Sequence, residues 1–379
     1  AHGCPEALAL RPSGCNRKPM TAKLRLADRI NDLLPILGFG AAIASLAIPL
    51  NPFLVGVILA GSVIAAVHHA EVVAHRVGEP FGTLILALAV TVIEVGLIVT
   101  LMQAEPEKAA TLARDTVFAA VMVIINLLMG LCLLSGAIRH HEQRFQRTGM
   151  GAALATLTVL TVVTLVLPNF TSSAPGPRYS ATQLGFVAVV SLILYATFAL
   201  VQTVRHRHYF LPDGEAQDEP DAHAAPPSAR RMWLSLALLV ACLFGVVLLA
   251  KALSPVIGAL LAEAGAPPAV LGVLIAALIL APEGLAAVRA AKADRLQTSL
   301  NLALGSALAT IGLTIPAVAI LSIATDMPIS LGLDAKSTVL LFLSLIVASQ
   351  TLANGRTTVL QGTIHLMLFA IYLFTTFVP

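Results

Sequence analysis

Gly82-Thr-Leu-Ile-Leu-Ala-Leu-Ala-Val-Thr-Val-Ile-Glu94 and Gly272-Val-Leu-Ile-Ala-Ala-Leu-Ile-Leu-Ala-Pro-Glu283 are two apolar runs, each holding a single carboxylate. Within two residues of each glutamate comes a glycine, Gly96 or Gly284. A hydrocarbon core about 30 Å thick is crossed by about 20 mostly apolar helical residues. At a rise of about 1.5 Å per residue, both glutamates fall deep within such a crossing. An ionised carboxylate there costs roughly 2.5–3.5 kcal/mol on insertion scales. A chain keeps one only where a cavity, a partner or a proton neutralises it.

The rest of the sequence agrees with a membrane reading. Of 379 residues, 58% are hydrophobic and 11% charged, against about 25% charged in an ordinary soluble domain. The mean hydropathy of +0.89 excludes a normal soluble fold. Small residues are abundant and aromatics scarce, which suits helices packed closely in lipid. Cys132 and Cys242 lie in apolar runs, and the four cysteines show neither a disulfide framework nor metal-knuckle spacing.

Eleven apolar runs are long enough, or nearly so, to span: 33–50, 53–74, 81–102, 116–138, 150–167, 184–204, 232–253, 269–288, 299–323, 337–353 and 359–378. The expected fold class is therefore an all-α integral membrane protein of about eleven transmembrane helices. With the N-terminus in the cytoplasm, eighteen of the 23 Lys and Arg residues fall on the cytoplasmic side, and the C-terminus lies outside. A ten- or twelve-helix count would break this alternation. The organisation that follows is a disordered polar leader (1–30), a first transmembrane helix (31–50), a five-helix repeat (51–204), an acidic, proline-bearing cytoplasmic linker (205–231) and a second five-helix repeat (232–379). Five is odd, so the two repeats are inverted relative to each other. That arrangement recurs in secondary transporters, with the site at the midplane.

Two carboxylates at equivalent depths of inverted repeats make a cation and proton site. Hard cations take six to eight oxygens from carboxylates, carbonyls, hydroxyls and water. Pro282, directly before Glu283, removes a backbone donor and frees a carbonyl one turn earlier. Thr91 shares a helical face with Glu94. Asn301, Ser306, Thr310 and Thr314 form a polar line on an otherwise apolar helix and offer further oxygens. The empty pair carries two negative charges and repels itself, so protons and a cation compete for it. Alternating exposure of such a site gives antiport, and the pair titrates as a unit.

These residues carry a resemblance. The chain is similar to the calcium/cation antiporter superfamily, most closely to its ChaA-type calcium (sodium/potassium)/proton antiporters. The similarity runs through His68-His-Ala-Glu-Val-Val-Ala-His75, Val77-Gly-Glu-Pro-Phe-Gly to Glu94, Ala281-Pro-Glu-Gly-Leu285, Asn301-Leu-Ala-Leu-Gly-Ser306 and Gly355-Arg-Thr-Thr358. It implies that Glu94 and Glu283 bind the transported cation and the protons, in a ten-helix core preceded by one extra helix. It also implies residence in a bacterial inner (plasma) membrane. Where the superfamily often has Gly-Asn before the first glutamate and Gly-Ser-Ser later, this chain has Val90-Thr91 and Gly305-Ser306-Ala307. Fewer side-chain oxygens leave Na+ and K+ open as cargo beside Ca2+.

His68, Glu71 and His75 share one face of the second helix, as a candidate proton relay or pH sensor at its cytoplasmic end. The alternative function is a proton- or sodium-coupled transporter of a small organic solute, which expects a pocket with Arg or aromatics at mid-depth. No enzymatic motif, resident cofactor or nucleic-acid partner is expected; the partners are the lipid bilayer, transported cations and protons.

Overall fold

A computed structural model describes residues 22–48, 50–78, 81–104, 106–211, 226–267 and 269–378. Most of the leader and residues 212–225 of the acidic linker lie outside the described residues. Eleven helical rods make up the described chain. They are α1 (Ala22–Ser45), α2 (Pro52–Val77), α3 (Phe81–Ala104), α4 (Pro106–Met122, continuing through Val123–Leu128 into Met129–His140), α5 (Arg147–Phe170), α6 (Ala181–Arg205), α7 (Ala229–Glu263), α8 (Ala269–Lys292), α9 (Leu296–Thr325), α10 (Ala335–Ala353) and α11 (Val359–Phe377). Nine of them are long and apolar enough to cross a membrane among the described residues; α1 and α3 contribute the shorter apolar stretches Ile30–Ser45 and Leu88–Met102.

Local chemistry sets the helix ends. Asn51 caps α2, its Oδ1 accepting from the N–H of Phe53 at 2.9 Å, with Pro52 at the first helical position. Ser180 and Gln183 form a reciprocal capping box on α6. Asp334 caps α10 by accepting from Ser337 N–H at 2.7 Å. Three rods widen into π-helical segments, at Val123–Leu128, Val162–Val166 and Val201–Arg205. Before the second of these, Thr161 donates back to the Leu157 carbonyl at 2.5 Å, and Thr164 within it donates to Leu160 at 2.7 Å. Such back-bonding bends helices.

Packing follows an internal two-fold pattern between α2–α6 and α7–α11. The counterparts α2 and α7 pack on each other, as do α5 and α10. The α4–α11 contact is matched by α9–α6, α3–α4 by α8–α9, and α4–α8 by α9–α3. An offset of five helices reverses direction, so the repeats are inverted. The extra helix α1 lies outside this pattern and packs on α7 and α2. Arg231 Nη1 holds Asp32 Oδ2 at 2.7 Å, and His69 Nε2 lies 3.1 Å from the Asn31 carbonyl oxygen. The most enclosed rods are the counterparts α4 and α9, with 83% and 61% of their spanning windows buried. They form the centre that the acid-bearing helices α3 and α8 flank.

Two boundaries differ from the sequence reading. The leader, read as disordered to residue 30, gives way to helix at Ala22. Residues 22–29 contain neither Gly nor Pro and are mostly good helix formers, so α1 extends past its apolar part. The linker also starts later than residue 205. Arg207–Tyr209 forms a 3-10 turn that seats Phe210, which is 5% exposed, edge-on against Phe198 of α6 with ring centroids 5.8 Å apart.

One end of the bundle is interlocked by its connections. Gln143 Nε2 donates to Asp294 Oδ1 at 2.7 Å and to the Ala291 carbonyl at 3.0 Å. Phe145 N–H donates to the Gly355 carbonyl, and Thr357 N–H to that of Gln143. The α4–α5, α8–α9 and α10–α11 connections therefore meet at one face.

Candidate functional site

Glu94 on α3 is 2% exposed. The Thr310 and Thr314 side chains of α9 neighbour its carboxylate, and Glu283 lies close enough to repel it electrostatically. Neither Glu94 oxygen accepts a well-aligned hydrogen bond, and Thr314 Oγ1 is likewise buried without a partner. A buried carboxylate beside two hydroxyls can take a proton or a cation there.

Glu283 on α8 is the more open of the pair. Ser306 on α9 donates a short hydrogen bond to its Oε2. Pro282 within α8 cannot donate, so the carbonyl of Leu278, one turn back, lacks its helical donor. Two further groups share its electrostatic surroundings: Glu71 of α2 and Tyr195 of α6. One face of α9 serves both acids, Glu283 with Ser306 and Glu94 with Thr310 and Thr314 at the following turns.

Small residues allow this convergence. A Cβ at Gly272 of α8 would stand 2.9 Å from the Asp115 carbonyl of α4, so the glycine lets the backbones touch. One at Gly312 of α9 would stand 2.6 Å from the Tyr195 Cβ. The glycine thus lets α6 bring Tyr195 to the site.

The sequence candidates divide into three groups. Glu94, Glu283, Ser306 and Thr310 come together; Thr91 is buried on α3 one turn before Glu94. Asn301 is directed elsewhere: its Nδ2 donates to the Phe210 carbonyl at 2.5 Å and its Oδ1 accepts from Gln297 Nε2 at 3.3 Å. Its amide donor thus anchors the segment after α6 to α9, while its oxygen is taken up within α9. Of the trio on α2, Glu71 and His75 are exposed and His68 is half-buried. No cluster of three His, Cys, Asp or Glu side chains converges as a metal site among the described residues. Tyr195 went unnoticed in the sequence; its signal is a phenol in the middle of the apolar run of α6. His69 is wholly buried against α1.

A family model described as sodium/calcium exchanger protein matches residues 37–204 and 234–378, the two halves on either side of the linker. The chain belongs to this exchanger family. A putative ionic transporter of Sinorhizobium fredii is 47% identical over 322 residues, covering 85% of this chain and 87% of the relative. The sodium-potassium/proton antiporter ChaA of Escherichia coli is 37% identical over 326 residues, covering 86% and 87%. The crystal structure of the H+/Ca2+ exchanger CAX superposes with a TM-score of 0.71 over 93% of this exchanger and 89% of CAX, at 16% identity. That identity establishes the shared fold alone. Glu94 and Glu283 lie in the first and second matched halves, respectively.

Proposed function

We propose that the chain is a secondary-active cation/proton antiporter of a bacterial inner membrane, exchanging Ca2+ and, as further cargo, Na+ or K+ for protons. The carrying observation is the convergence of two intramembrane carboxylates from counterpart helices around one polar helix, α9. Similarity to a relative named as a sodium-potassium/proton antiporter supports the coupling to protons and the monovalent cargo.

The mechanism is a charge argument. The empty, ionised pair is expensive in a low-dielectric setting and does not cross between access states. Two protons neutralise it; so does one divalent cation, or one monovalent cation with one proton. Only neutral forms change exposure, and this couples the fluxes. Ser306, Thr310 and Thr314 supply hydroxyl oxygens to a bound cation, and Leu278 supplies a carbonyl. Thr91 is a further donor from α3. Glu71, exposed on the Glu283 side, relays protons or cations to that carboxylate together with His68 and His75. The N-terminus is placed in the cytoplasm and the C-terminus outside, the orientation that the basic residues favour.

The test uses inside-out membrane vesicles with an acid interior and a pH-sensitive dye. Addition of Ca2+, Na+ or K+ should dissipate the gradient at neutral to alkaline pH, and the active ions name the cargo. Failure of every cation across that range would overturn the proposal.

A further inference from the structure

Beyond the exchange site, α5 and α10 enclose a cavity of about 220 Å³ that begins at Arg147 and follows Gly151, Ala155 and Thr158 along one face of α5, against Ser349 and Ala353 of α10. Gly151, Ala155, Ser349 and Ala353 are exposed, so the cavity is open at the side of the bundle. From Arg147 to Thr158 the rise is about 16 Å, the depth of one leaflet of a hydrocarbon core about 30 Å thick.

The mouth of this groove is built for an anion. Arg147 is exposed and makes no ion pair among the described residues. Its stem is pressed against the α10–α11 turn: a Cβ at Gly355 (φ 68°) would stand 2.8 Å from Arg147 Cγ, so the guanidinium is held at the groove entrance. Arg147 is also the first residue of α5, and the N-cap Gln146 places no side-chain oxygen on the first-turn amides. The N-terminal end of a helix carries a partial positive charge that favours a phosphate. Arg144, exposed and paired through its backbone with Arg356, adds positive charge beside it, while Arg356 itself is matched by Glu142 at 3.4 Å. This is the interlocked, arginine-rich face, which the charge distribution assigns to the cytoplasm, where the leaflet is anionic.

We propose that this groove binds an anionic phospholipid of the cytoplasmic leaflet, its phosphate on Arg147 and the α5 N-terminus and an acyl chain along Gly151, Ala155 and Thr158. Charge at the mouth and an apolar trough one leaflet long match the two halves of such a lipid.

Native mass spectrometry of the full chain, purified in neutral detergent and offered phosphatidylglycerol or phosphatidylcholine, tests this. Wild type should retain phosphatidylglycerol preferentially. Arg147→Gln should lose about fivefold in phosphatidylglycerol retention, the effect of one surface arginine on an anionic lipid, with phosphatidylcholine unchanged. Arg147→Lys keeps the charge and should keep most of the preference. Ala155→Phe fills the trough and should reduce retention of both lipids. Equal phosphatidylglycerol retention by wild type and Arg147→Gln would overturn the proposal. So would Ser349→Cys forming disulfide-linked dimers in native membranes while the purified protein shows no lipid preference, because the groove would then be covered by a second copy.

Discussion

The Ser306 hydroxyl donates to Glu283, while the equally conspicuous Glu94 receives no well-aligned hydrogen bond. The two acids are thus unequal although their helices are counterparts. One is half-buried and bonded to a hydroxyl; the other is fully buried and lacks a well-aligned bond. Helix α9 imposes the difference along one face, with Ser306 at the level of Glu283 and Thr310 and Thr314, one and two turns on, at the level of Glu94.

Removing that hydroxyl tests its place in the cation shell. Hydrogen bonds to charged groups contribute about 1.5–3 kcal/mol. Ser306→Ala should raise the half-saturating cation concentration by about tenfold or more in vesicle exchange, with normal membrane abundance. Ser306→Thr, which keeps the hydroxyl, should recover most of the loss.

Competition between protons and cations predicts the pH dependence. When cation binding displaces one proton, the half-saturating concentration falls about tenfold for each unit rise in pH; with two displaced it falls about a hundredfold. Divalent cargo should therefore show the steeper slope and monovalent cargo the shallower, measured in the range where the free site is protonated. A half-saturating concentration independent of pH would separate cation binding from the acids.

The closeness of α6 and α9 makes a third prediction. Gly312→Ala places a methyl 2.6 Å from the Tyr195 Cβ. Overpacking of this kind costs about 1–3 kcal/mol. The variant should unfold at a lower temperature in detergent and exchange more slowly, because Tyr195 moves beside Glu283. Gly40→Ala, where nothing stands within 4 Å, should leave both unchanged.

The parts of this fold that hydropathy dictates were legible in the sequence. Eleven rods, the inverted halves and the positions of Glu94 and Glu283 all follow from where polar groups interrupt apolar runs. Less legible were features set by tertiary contact. The start of α1 at Ala22 carries little apolar signal, because Lys23, Arg25, Asp28 and Arg29 interrupt Leu24 and Leu26. Phe210 reads as the beginning of a polar linker, yet it closes the α6–α9 junction and captures Asn301, which sequence position alone assigned to the site. The π-helical segments have no composition of their own; Thr161 and Thr164 mark one of them only once their back-bonds are seen. Tyr195 comes into the electrostatic surroundings of Glu283 because a glycine on another helix, Gly312, makes room for it, a relationship that no spacing along the chain reports.

The central claim is that Glu94 and Glu283 together carry cation and protons. The most direct measurement is cation-induced proton movement in inside-out vesicles bearing wild type, Glu94→Gln or Glu283→Gln at equal abundance. Glutamine preserves size and polarity but cannot ionise. The account predicts a cation response in wild type and none in either variant at any pH from neutral to alkaline. A wild-type response that persists in either glutamine variant would contradict it.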